Sequence, residues 1–358
     1  MSRLPQPPKA ILKALREGQV IPAHPLALDA GRKFAEPQQR ALTRYYLSAG
    51  AGGLAVGVHT TQFEIRDPQV GLYRPVLELA GEEVDRHVAK TNKPVIKIAG
   101  VIGLTEQAVR EAQLAVDLGY HAALLSLAAF QNRDNQTVLA HCREVAQVIP
   151  LMGFYLQPSV GGRLLDRNFW RAFAEIENVV AIKIAPFNQY HTLDVLYGVA
   201  QSGRAKDIAL YTGNDDHIVQ DLMTPFKIPL ATGTMRLQIV GGLLGHWAVW
   251  TRQAVRLLDK IKKWRQGETR FTKALLSLAP QITDCNGAFF DVQNGFRGCI
   301  VGLHYVLQRQ GLLTAIGTLD ANVLLTEGQR CEIERVYRQY PDLNDDSFIE
   351  QNRDHWLA

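Results

Sequence analysis

Apolar runs of four to eight residues alternate with amphipathic stretches of helical length through the first two thirds of the chain, and this rhythm restricts the fold to successive βαβ units. Eight runs read as strands: Ile21 to Leu28, Gly53 to Val58, Pro94 to Ala99, Ala122 to Ser126, Leu151 to Leu156, Val179 to Ile184, Ile208 to Thr212 and Pro229 to Thr232. Between them Pro37 to Ser48, Glu82 to Thr91, Thr105 to Leu118, Asn135 to Val148, Asp166 to Ile176 and Gln189 to Gln201 read as helices. Runs such as Val179-Val-Ala-Ile-Lys-Ile are almost continuously apolar, as parallel strands are when helices cover one side and packed side chains fill the other. Eight units close a (β/α)8 barrel, whereas a doubly wound sheet usually stops at about five or six strands.

From about Gly241 the strand signal fades and helical periodicity takes over in Trp247 to Arg265, Thr272 to Leu278, Gly298 to Arg309 and Thr326 to Arg338. The expected organisation is therefore a barrel over residues 1–245 and a helical region over 246–358 packed on it. Lys9 to Arg16 is a candidate short helix closing the barrel bottom. The chain has 358 residues, a size at which one barrel with added helices makes a single core. Its 39 basic and 35 acidic residues are dispersed, and the short Lys260 to Arg265 run lies on a helix as a solvated face, so no nucleic-acid partner is expected. Cys142, Cys285, Cys299 and Cys331 lie far apart without metal-ligand spacing, which fits inert thiols in a reducing compartment. The polar, Pro-rich start and the lack of any run of about 18 apolar residues lead to the expectation of a cytoplasmic protein with no membrane contact.

In a barrel, groups that do chemistry sit at the C-terminal ends of the strands. Lys183, in the sixth run, must there find a counter-ion or be desolvated, and desolvation exposes the nucleophilic amine that imine formation requires. Lys97, in the third run, competes with it, and periodicity alone does not say which faces the mouth. Tyr155 ends the strand before Lys183, where in-register neighbours would bring its hydroxyl beside the amine to carry protons. His59, Thr60 and Thr61 follow the second strand, and the two hydroxyls with their backbone N–H groups suit a carboxylate. Asp215 and Asp216 after the seventh strand read as a helix cap before a metal site, and Gly233 after the eighth would let a substrate approach the backbone. No P-loop, GxGxxG or HExxH spacing is present.

Gly52-Gly-Leu-Ala-Val-Gly with Thr60 and Thr61, Gly153-Phe-Tyr-Leu-Gln-Pro, Val180-Ala-Ile-Lys and Tyr211-Thr-Gly-Asn-Asp make the chain resemble the dihydrodipicolinate synthase and N-acetylneuraminate lyase family of class I aldolases. The resemblance runs over residues 20–310 and breaks the tie in favour of Lys183. It implies that Lys183 forms an imine with pyruvate or another 2-oxo acid, that Tyr155 relays protons, that Thr60 and Thr61 bind the carboxylate, and that Gly213 and Gly233 shape the pocket. It also implies a homo-oligomer, dimer or tetramer, with no metal or organic cofactor. Three departures bear on substrate: His59-Thr-Thr-Gln-Phe replaces the family's Gly-Thr-Thr-Gly-Glu, Val160 stands where the synthase branch has an Arg, and Phe130-Gln-Asn-Arg replaces that branch's Tyr-Tyr-Asn-Arg. The expectation is a Schiff-base lyase or aldolase other than a true dihydrodipicolinate synthase. A dehydratase of a deoxy-keto sugar acid would use the same lysine, and a barrel that binds a small acid without turning it over is the alternative of another class. Asp284-Cys-Asn-Gly-Ala-Phe-Phe-Asp and Asn294-Gly-Phe-Arg-Gly-Cys lie in a long tail that is a candidate for an interface or a cover over the mouth.

Overall fold

A computed structural model describes residues 4–358. Nine strands run in chain order as β1 (Val20–Pro22), β2 (Gly53–Val56), β3 (Ile96–Val101), β4 (Ala122–Leu125), β5 (Leu151–Leu156), β6 (Val179–Ala185), β7 (Ala209–Thr212), β8 (Pro225–Leu230) and β9 (Gly233–Leu244). All but β8 form one parallel sheet in the order β1-β9-β7-β6-β5-β4-β3-β2, and a bridge between Ala23 and Ala55 joins its two edges. The chain is thus a (β/α)8 barrel.

Alternation along each strand divides the apolar residues into two cores. Ile21, Ile96, Ile98, Leu124, Met152, Ala181 and Leu243 fill the barrel interior, while Leu54, Val101, Leu151, Ile182 and Ile184 face the surrounding helices. The helix Lys9–Glu17 plugs the lower end: Ile11, Ala14 and Leu15 join the interior, and the Tyr211 hydroxyl donates to the Leu15 carbonyl at 2.8 Å. At the upper end, three loops close on capped helices. Asp134 accepts from Thr137 N–H (2.9 Å), Asp166 from Phe169 N–H (2.8 Å), and Asn188 from Tyr190 N–H (2.9 Å). Each cap satisfies donors that a helix start leaves unpaired, and so fixes where the loop ends.

The eighth strand is not where the sequence pattern put it. Pro229 to Thr232 belongs to an antiparallel hairpin, in which β8 pairs with the first half of β9, and the barrel position is filled by the second half, through Ile239, Gly241 and Gly242. The adjacent glycines read as the end of a strand because glycine weakens strands. Here they are required by close approach: a Cβ on Gly241 would lie 2.5 Å from the Gln19 carbonyl oxygen, and one on Gly242 2.6 Å from Trp247. Gly233, expected at the pocket, instead sits in the exposed hairpin turn with φ +129.

Beyond the barrel the helices Thr251–Arg265, Lys273–Phe289, Cys299–Arg309, Glu327–Gln339 and Asp346–Leu357 pack onto it, with Leu258, Phe289, Leu303, Ile333 and Trp356 in the same core as the outer barrel residues. The second of these runs past the expected end at Leu278 because Pro280 is accommodated inside it, where proline usually stops a helix. The last was missed because it buries little beyond Ile349 and Trp356. It is moored by Asp345, which accepts from the Tyr45 hydroxyl at 2.7 Å, and by Trp356, whose ring lies 5.5 Å from that of Tyr45. Among the described residues no helix is long and apolar enough to cross a membrane.

Candidate active site

Lys183 is the polar residue in the buried strand β6, and it points into the barrel at the C-terminal end. Its neighbours in register are Phe154 on β5 and Tyr211 on β7. Its Nζ lies 4.4 Å from the centre of the Phe154 ring, over the face that favours a cation electrostatically. Among the described residues it makes no hydrogen bond and no ion pair within 4.0 Å. Burial lowers its pKa, and the nearby Asp215 carboxylate opposes that shift. Gly213 makes the lysine's position sterically accessible, since a Cβ there would lie 2.6 Å from Lys183 Cε.

Lys97 has a different environment. It turns outward beneath the helix Tyr73–Thr91, where Asp85 accepts from it at 2.8 and 3.1 Å. A lysine so held is a structural cation.

The cavity in front of Lys183 is bordered by His59, Thr60, Gln157, Val160, Gly213 and Asp215, with Leu124, Phe154, Leu156 and Phe187 as apolar walls. It holds about 70 Å³, where one water needs roughly 10–15 Å³ by a similar measure, so a small acid fits and a large ligand would have to open it. His59 stays neutral, pushed down to about 4 by burial and then by Lys183. Thr60 borders the cavity, whereas Thr61 does not. The Thr61 hydroxyl accepts from Gly57 N–H (3.0 Å) and donates to the His24 carbonyl (2.7 Å), so it builds the turn that presents Thr60.

Tyr155 requires a correction. Leu151 pairs with Val179, 28 positions on, but Met152 pairs with Ala181, 29 positions on, because β5 and β6 slip by one residue between them. The 28-residue spacing from Tyr155 to Lys183 therefore does not pair them; Tyr155 pairs with Ile184, and its ring turns outward. A one-residue slip sends a side chain to the opposite face. Tyr155 packs 5.3 Å from Trp170 and 5.9 Å from His191, and its hydroxyl accepts from Leu165 N–H at 3.2 Å. The phenol anchors a loop outside the barrel. Tyr155→Phe is accordingly expected to leave chemistry at Lys183 unchanged and to cost about 1–3 kcal/mol in urea unfolding by orphaning the Leu165 N–H. Slower imine formation in that variant, with unaltered stability, would contradict this placement.

Asp215, read from sequence as a cap, turns into the barrel instead. Its Oδ1 accepts from His246 N–H at 3.1 Å and burial raises its pKa, with Lys183 opposing the rise. The loop that carries it is braced from below. The Asn214 amide donates to Asp221 (2.9 Å) and Thr192 (3.1 Å), its oxygen accepts from Phe187 N–H (3.0 Å), and Thr212 donates to the same Asp221 at 2.7 Å. Phe290, Phe296 and Cys299, from the two tail segments that were candidates for an interface or a cover, reach the cavity from the C-terminal region, though the sequence did not single out these side chains. Phe296 meets Phe187 edge to face at 5.8 Å, and both hold positive φ, so each is held in a strained backbone conformation at the mouth. The Cys299 thiol is pushed up to about 12 by burial and stays protonated. Through Phe290, Phe296 and Cys299 the tail thus borders the mouth. Among the described residues no group of three or more His, Cys, Asp or Glu side chains is arranged to hold a metal ion.

A parallel eight-stranded barrel with a desolvated lysine at its C-terminal mouth belongs with the barrels that gather reactive groups there. The chain belongs to the dihydrodipicolinate synthetase family, whose profile matches residues 18–225. A 4-hydroxy-tetrahydrodipicolinate synthase from Staphylococcus saprophyticus is 30% identical over 146 residues, 40% of this chain and 46% of the relative. One from Acetivibrio thermocellus is 33% identical over 135 residues, 37% of this chain and 44% of the relative. The matched stretch spans somewhat less than half the length of these curated relatives. Among solved structures, YagE from E. coli K12, a prophage protein of the dihydrodipicolinic acid synthase family in complex with pyruvate, superposes with TM-score 0.71 at 16% identity, covering 90% of this chain and 98% of that one. CdNal from Clostridium difficile, in complex with mannosamine, gives TM-score 0.69 at 16% identity, with coverage of 90% and 99%. At such identities the likeness is one of fold.

Proposed function

We propose that the protein is a Schiff-base lyase or aldolase in which the Lys183 amine takes up pyruvate or another 2-oxo acid. The observation that carries this reading is a desolvated lysine with no hydrogen-bond partner among the described residues, facing a cavity at the C-terminal ends of the strands. Family membership and a solved neighbour holding pyruvate support it. The amine attacks C2 of the keto acid, water leaves, and the resulting iminium withdraws electrons from the C3 bonds so that a C–C bond there can form or break. Thr60, with the N–H groups that open the turn His59–Thr61, would receive the carboxylate.

The rest of the cavity favours an uncharged, apolar remainder of the substrate. Leu124, Phe154, Phe187, Phe290 and Phe296 border it, and among the described residues no arginine does, Val160 standing where an arginine would bind a second carboxylate. Walls of this kind serve a polyhydroxylated sugar acid poorly, which favours the aldolase reading over the dehydratase.

Pyruvate and borohydride added to the purified protein should give a mass increase of one reduced pyruvyl group per chain. Burial disfavours the ammonium, so the free amine appears at lower pH than in water. The trapping rate should therefore climb with pH and level off well below the ordinary lysine value of about 10.4. An unmodified mass would leave a barrel that binds without turnover, and a rate still climbing at that pH would mean a solvated lysine is reacting.

A further inference from the structure

A lysine that forms an imine needs a second group to move protons at C3 and at the oxygen beyond it. The outward turn of Tyr155 leaves that position to another residue, since no phenol borders the cavity among the described residues. We infer that Asp215 is the proton-transferring group, a catalytic residue acting on the substrate held by Lys183. This inference rests on the Lys183 reading given above.

The neighbours narrow the choice. The Thr60 hydroxyl is assigned to the substrate carboxylate in the reading above, and Cys299 is held as a neutral thiol by burial. His59 is a weak base in its buried setting. Asp215 borders the same cavity as Lys183, is fixed through one oxygen by the His246 N–H at 3.1 Å, and has its second oxygen without a hydrogen bond among the described residues. The brace from Asn214 to Asp221 and Thr192 holds the backbone that carries it. Burial raises its proton affinity toward the range in which a carboxyl can both take and return a proton.

In the cleavage direction, the Asp215 carboxylate removes the proton from the C4 hydroxyl of the iminium-bound substrate. The O–H electrons form the aldehyde C=O, the C3–C4 bond breaks, and its electron pair moves through C2 to the iminium nitrogen, giving an enamine. The carboxylic acid so formed then returns the proton to C3, restoring the iminium, and water hydrolyses it to release the 2-oxo acid and the free amine. Every atom and charge is accounted for without an added oxidant, reductant or metal.

The test is the exchange of pyruvate C3 protons for deuterium, followed by NMR in D2O, alongside borohydride trapping of the imine. Wild type should show both. Asp215→Asn should keep the pyruvate adduct and lose exchange by about 10²-fold or more, a typical share for a general base. Asp215→Ala, a second variant in case the amide is not tolerated, should lose exchange likewise and recover part of it with added formate, which a merely structural role would not produce. Adduct formation with exchange at the wild-type rate in either variant overturns the role of Asp215 and leaves the lysine reading intact. Wild type without any adduct overturns both.

Discussion

Lys183→Met should leave the barrel folded and abolish both the pyruvate adduct and the deuterium exchange. Methionine roughly keeps the volume and removes a buried ionisable group, and the fold loses no ion pair among the described residues. Asp215 then faces no cation, and its carboxyl, already raised by burial, stays protonated to still higher pH. The variant separates chemistry from stability: a thermal midpoint near that of wild type with no trapping and no exchange is the expected result. An adduct that persists would assign the imine to another amine.

Gly213→Ala should produce the second largest effect by moving the lysine without removing it. The added Cβ would sit 2.6 Å from Lys183 Cε, 3.0 Å from Lys183 Cγ and 2.8 Å from the Ala185 Cβ. The lysine stem can shift, but Ala185 is fixed by the backbone of β6, so the amine is displaced from its place under the cavity. Displacement by about 1 Å at a reacting centre costs on the order of 10²-fold in rate, and overpacking costs about 1–3 kcal/mol in stability. Single-turnover trapping in Gly213→Ala should therefore slow by about that factor, with a smaller loss in urea unfolding. Wild-type trapping kinetics would mean that the lysine does not work from the position seen here.

The barrel was legible in the sequence because parallel strands covered on both sides leave long apolar runs, and seven of the eight barrel strands fall on the expected runs. The eighth was hidden by a hairpin: a half-exposed strand, Pro225–Leu230, precedes the true barrel strand, whose paired glycines imitate a break. A lone lysine within an apolar strand is conspicuous, but Lys97 shared that signal with Lys183, and only the family resemblance chose between them; Val160 borders the cavity. Tyr155 was misplaced by a slip between β5 and β6 that no spacing rule reveals, since it depends on how the two backbones meet at Leu151 and Met152. Asp215 looked like a helix cap because two adjacent aspartates before a helix usually are one. The helix Ile218–Met223 in fact has His217 at its cap position, which frees Asp215 to turn inward. Phe290 and Phe296 lie in tail segments that were candidates for a cover, but at more than a hundred residues from Lys183 nothing local says that these two rings reach the cavity.

The central claim is that one amine at the barrel mouth is the nucleophile. Reducing the protein with borohydride in the presence of pyruvate, digesting it, and locating the modified peptide by fragmentation reads that amine directly. The account predicts modification at Lys183 and an unmodified Lys97, which Asp85 holds on the outside of the barrel. Modification at Lys97 or at a surface lysine, with Lys183 untouched, would contradict it.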